Sequence, residues 1–101
     1  MATVSIEREN GRVVFRPNPI NIGITDVVVF VNNDTQASHQ ITKVGLAKDA
    51  WMKYPLGPAV AGQDPFTSPG IAFGSASSTI DYRCAVDGHT ETGSIVIKVT
   101  A

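Results

Sequence analysis

Six consecutive residues, Val27-Val28-Val29-Phe30-Val31-Asn32, constrain this chain more than any others. β-Branched and aromatic side chains lose rotamer freedom in a helix and pack well on a pleated surface. The run is apolar on both faces, which predicts a strand placed centrally in a sheet. Asn32-Asn33-Asp34-Thr35 ends it with turn chemistry. Other extended runs recur at Thr3–Glu7, Val13–Phe15, Ile20 with Ile22, Ser38–Val44, Ser75–Cys84 and Ser94–Thr100. Turn signals such as Glu9-Asn10-Gly11-Arg12 and Gly23–Asp26 separate them. Pro17 and Pro19 exclude helix between the second and third runs. This rhythm predicts an all-β protein, a Greek-key β-sandwich or barrel of about seven to eight strands. Residues 1–101 suffice for one core and so for a single domain. One segment breaks the rhythm. Ala47–Tyr54, with Trp51 and Tyr54 three apart, predicts a short helical excursion around 47–54, docked on a sheet edge. The Pro- and Gly-rich stretch from Pro55 to Gly70 reads as loop.

The residues able to carry chemistry are few. There is one cysteine, Cys84, and there are two histidines, His39 and His89. A single cysteine excludes an intrachain disulfide framework and leaves either a buried thiol or a working one. The formal net charge is −1, with no basic block, so nucleic acid is not an expected partner. No apolar run approaches the ~20 residues of a membrane helix. The N-terminal MATVSIEREN lacks the basic start and apolar core of a secretory signal. Thiolate and imidazole together favour copper or zinc, and a His2Cys set with a weak axial ligand suits copper. Structural zinc usually takes four firm ligands, which the sequence does not clearly supply. Taken singly, Cys84 reads as a small buried hydrophobe and His39 as a satisfied histidine. The spacing His39, then Cys84-x4-His89 between two strand-like runs, turns that reading towards a metal.

These residues resemble a known pattern. Phe15-x-Pro17 with Ile20 and Ile22, then Asp26–Asn33, is similar to the early strands of the cupredoxins, small type 1 blue-copper proteins. Ser38-His39-Gln40 sits where their first histidine ligand is expected. Tyr82-x-Cys84-x4-His89, followed by Gly93–Ile97, resembles their ligand loop and final strand. The resemblance covers nearly the whole chain. It implies one copper ion, cycling between Cu(I) and Cu(II), bound by His39, Cys84 and His89. It implies an electron carrier rather than an enzyme, a monomer in the periplasm or another extracytoplasmic compartment. Redox proteins would dock on an apolar surface at the outer edge of His89, with Val86 and Gly88 as candidate members.

The pattern departs from the family at the axial position. Cupredoxins commonly carry Met two residues before the glycine that opens the last strand. Here the glycine is Gly93 and the residue is Glu91. Three readings follow. Glu91 is the axial ligand, and its hard anionic oxygen favours Cu(II) and lowers the reduction potential. Alternatively, Glu91 faces solvent and the site is open to water or a small molecule. Or Met52 supplies the fourth donor from the excursion, although a core-filling role suits it better. Gln40 stands where Asn often follows the first histidine, and Ala85 after the cysteine has no hydroxyl. A tie between the ligand segments must then use backbone, Asn33 or Ser38. An open or carboxylate-ligated site that binds or turns over a small molecule, and a copper carrier, are the alternative functions.

Overall fold

The computed structural model describes residues 2–73 and 78–98. Among these described residues eight strands follow one another: β1 (Ala2–Glu9), β2 (Arg12–Arg16), β3 (Ile20–Gly23), β4 (Val27–Asn32), β5 (Ile41–Lys43), β6 (Ile71–Ala72), β7 (Ser78–Cys84) and β8 (Thr92–Lys98). They form two four-stranded sheets, ordered β2-β1-β4-β6 and β3-β8-β7-β5. β1 and β4 run parallel, as do β3 and β8, and the other pairs are antiparallel. Non-consecutive neighbours such as β1–β4 and β3–β8 make the connections Greek-key-like.

β4 lies inside its sheet, as its composition predicts. Its faces are unequal, however. Val28, Phe30 and Asn32 are buried, whereas Val27, Val29 and Val31 are half-buried. Val28 and Phe30 share one core with Val4 and Ile6 of β1, and with Ile95, Ile97 and Tyr82 of the other sheet. Phe30 and Phe15 each meet the Tyr82 ring edge-on, at 5.1 and 5.0 Å between centroids. These aromatics fill the space between the sheets, and offset rings of this kind add to simple area burial.

The helical excursion is not formed. Among the described residues there is no helix, and 47–54 is a series of turns and bends. The physical reason is competition for its polar groups. The Ala47 carbonyl accepts from Ala50 N–H and from the Thr42 hydroxyl. The Met52 carbonyl accepts from the Gln40 amide, and Met52 Sδ accepts from Ile41 N–H at 3.4 Å. Docking onto β5 thus replaces a two-turn helix that could not repay its own nucleation. Trp51 turns inward to stack on Phe30, while Tyr54 is 72% exposed.

Two further differences concern strand limits. The run Ser38–Val44 pairs regularly only over Ile41–Lys43, and His39 instead bridges to Leu56. The stretch read as loop contains β6, a two-residue strand beside Val27 and Val28. The expected strand start at Ser75 and the end at Val99 and Thr100 lie outside the described residues.

Candidate metal centre

Cys84 ends β7, opposite Ile41 of β5, and Arg83 beside it pairs with Thr92 of β8. The thiol is therefore fixed from both sides by ladder hydrogen bonds. The chain then turns. His89 N–H donates to the Val86 carbonyl at 3.0 Å, and Gly88, third in this turn, has φ 82°, a conformation that favours glycine. The turn carries His89 back towards Cys84. The chain closes when Cys84 N–H donates to the Glu91 carbonyl at 3.1 Å.

His39 arrives from the opposite side. Its N–H and carbonyl both pair with Leu56, at 3.0 and 2.8 Å. Asn32, fully buried at the end of β4, organises this segment. Its amide nitrogen lies within 3.0 Å of the carbonyls of Ala37, Leu56 and Gly57, and its Oδ1 accepts from Asp34 N–H. The segments carrying His39 and Cys84 are tied by backbone, Ala85 N–H to the Gln40 carbonyl at 2.7 Å. Asn33 does not make the tie, because its amide reaches Ser5 instead.

These elements converge on four donor atoms. Cys84 Sγ lies 3.6 Å from His39 Nδ1 and 3.3 Å from His89 Nδ1. Glu91 Oε2 lies 3.5 Å from His39 Nδ1 and 3.3 Å from His89 Nδ1. All four atoms fall within 4.8 Å of one another. Glu91 thus joins the cluster rather than facing solvent, and its side chain is only 16% exposed. Met52 keeps its sulfur on Ile41 N–H, as a core-filling residue does.

The chemistry of the set fits a cation. Glu91 Oε2 is buried and has no hydrogen-bond partner. An orphaned buried carboxylate oxygen costs several kcal/mol unless something positive meets it. Thiolate, two imidazoles and a carboxylate are all electron-rich donors, and an ion among them would satisfy every one. Burial pushes the Cys84 thiol above its ordinary range, and the Glu91 charge adds to this. A coordinated metal would reverse that, because binding removes the thiol proton.

Three residues with a part in the site escape a sequence reading: Asn32, Asp34 and Arg8. His39 Nε2 lies 2.8 Å from Asp34 Oδ2, with both side chains fully buried. Arg8 donates through Nε and Nη2 to the two Asp34 oxygens, at 3.0 and 2.9 Å. Burial alone would raise the Asp34 carboxyl. Hydrogen bonds from Arg8, His39 and Gln36 N–H outweigh it and hold Asp34 well below the usual carboxylate range.

Comparison with solved structures places the fold. Plastocyanin from Dryopteris crassirhizoma superposes with a TM-score of 0.58 at 19% identity, covering 96% of this chain and all of that one. A reduced amicyanin variant gives 0.58 at 14% identity, over 95% of this chain and 82% of its own. A Cu(I) form of another amicyanin variant gives 0.57 at 14% identity, over 97% and 84%. No family model and no curated protein matches by sequence. The chain has the cupredoxin fold. Its His–Cys–His–Glu cluster resembles a mononuclear copper site in donor chemistry.

Proposed function

We propose that this protein carries single electrons on one copper ion held by His39, Cys84, His89 and Glu91, and that it is not an enzyme. The observation that carries this is the convergence of four donor atoms within 4.8 Å, one of them a buried carboxylate oxygen that makes no hydrogen bond. Bound copper would supply the one-electron couple. The protein supplies the stiffness. Cys84 and His39 are held by strand pairing and by the Asn32 clamp, so the donors have little room to rearrange between redox states. Tightly packed surroundings resist such rearrangement. Glu91 would add a hard anionic oxygen to the donor set, which favours Cu(II). His89 is 20% exposed and offers the edge through which an electron leaves.

Redox proteins are the fitting partners, docking near His89. The surface there is less apolar than the cupredoxin resemblance implies. A shallow concavity beside His89 is lined by Arg8, Gly11, Arg12, Val13, Thr90 and Glu91. Val86 is half-buried and packs on the core, and Gly88 is exposed. With a net charge of −1, long-range steering is weak and short-range fit decides docking. No helix of the described residues is long and apolar enough to cross a membrane. The same reading makes the protein a monomer working in the periplasm or another extracytoplasmic compartment.

Voltammetry of the copper-loaded protein tests the proposal. A reversible one-electron wave, unmoved by azide, is expected. A spectrum altered by azide would favour small-molecule chemistry, and copper lost to a chelator faster than electrons exchange would favour a carrier.

A further inference from the structure

We infer that Asp34, held by Arg8, is a positioning residue that fixes His39 with its proton on Nε2 and its Nδ1 lone pair aimed into the four-donor cluster. The inference rests on the copper-site reading but concerns residues outside the ligand set.

The geometry leaves His39 one choice. Its Nε2 faces Asp34 Oδ2 at 2.8 Å, with both groups fully buried. A carboxylate only accepts, so Nε2 must donate. In the neutral imidazole, the form able to bind a metal, Nδ1 is then bare and faces Cys84 Sγ and Glu91 Oε2. Asp34 has no freedom to turn away. Arg8 grips both its oxygens in a two-pronged fork, Gln36 N–H donates to Oδ1, and Asp34 N–H is held by Asn32. Planar Arg–carboxylate pairing adds geometric specificity to the attraction. Arg8 is in turn anchored by the Gly11 carbonyl, at the β1–β2 turn.

A tether alone would not need this arrangement. Arg8 and Asp34 could join β1 to the β4–β5 connection without touching His39. Instead the carboxylate oxygen nearest the imidazole is shared between Arg8 Nη2 and His39 Nε2. An anionic acceptor on the far nitrogen makes the ligating nitrogen more basic, and such partners typically govern 10–100-fold in metal affinity. The effect falls more heavily on Cu(II), the harder and more highly charged ion.

Two measurements test this. Nitrogen-15 NMR of the metal-free wild-type protein should show His39 as the Nε2–H tautomer, with that proton protected from exchange. This arm contains no copper, so it stands or falls independently of the copper reading. In the copper-loaded protein, Asp34→Asn should weaken Cu(II) binding 10–100-fold with Cu(I) nearly unchanged, raising the reduction potential by about 60–120 mV. Arg8→Lys, which keeps charge but loses the fork, should give a smaller shift of the same sign. Should Asp34→Asn fail to fold, the double variant Arg8→Gln/Asp34→Asn removes both charges together and should show the full shift. A wild-type His39 protonated on Nδ1, or a change below twofold in Cu(II) affinity in folded Asp34 variants, would overturn the inference.

Discussion

Replacing Asn32 by alanine tests how the first histidine is held. Asn32 is fully buried and joins β4 to the Ala37 and Leu56–Gly57 segments, while its Oδ1 satisfies Asp34 N–H. The substitution leaves Asp34 N–H buried without that partner, which costs about 1–3 kcal/mol. The carbonyls of Ala37 and Gly57 each lose a donor. Leu56 retains His39 N–H, so its loss is small. Allowing about 1 kcal/mol for those two partly buried carbonyls, the total is about 2–4 kcal/mol. A domain of this size has about 5–15 kcal/mol in hand. At 4–8 °C per kcal/mol, the melting midpoint should fall by at least about 8 °C. Asn32→Asp is a sharper version. It keeps the acceptor for Asp34 N–H but turns a charged oxygen towards three carbonyls, so it should be at least as damaging. Urea denaturation of the metal-free protein gives both values. A loss below about 1 kcal/mol for alanine, or an aspartate variant as stable as wild type, would refute the clamp.

Other substitutions probe the core and the cluster. A Cβ at Gly93 would overlap the Tyr82 ring and hydroxyl, so Gly93→Ala should cost about 1–3 kcal/mol in a thermal melt. The Tyr82 hydroxyl is buried with no partner, and Tyr82→Phe should gain about 1 kcal/mol. Burial also raises the pKa of Tyr82. Above about pH 10 the unfolded chain loses this proton while the folded one keeps it, so stability should fall as pH rises past that point. Ultraviolet titration should show Tyr82 ionising only with unfolding, and Tyr82→Phe should flatten the alkaline decline. Glu91→Gln removes an unpartnered buried charge, so it should leave the metal-free protein equally or more stable while weakening Cu(II) binding. Melts with and without copper would separate the two effects.

How much of this was legible in the sequence follows from what each residue needs. VVVFVN reads as a strand because β-branched packing is local information. The proposed ligands His39, Cys84 and His89 are legible because thiol and imidazole donors are rare in the chain and fall at or near the ends of strand-like runs. Glu91 is legible as a candidate through its offset from Gly93, but whether it turns inward depends on the loop closing at Cys84 N–H, a tertiary fact. The 47–54 segment misleads because its helical spacing is real, and only contacts with Gln40, Ile41 and Thr42 override it. Asp34 and Asn32 look like ordinary turn residues, since Asn-Asn-Asp-Thr suits a turn. Nothing local marks Asp34 as facing both an imidazole five residues on and an arginine on β1. β6 has two residues, too few for any periodicity to show.

Copper titration tests the central claim most directly. Cu(II) added to the metal-free protein should bind one ion per chain and produce an intense visible thiolate-to-copper band, and Cys84→Ser should abolish it. A wild-type protein that stays colourless at saturation, or a band that survives in Cys84→Ser, would contradict the account.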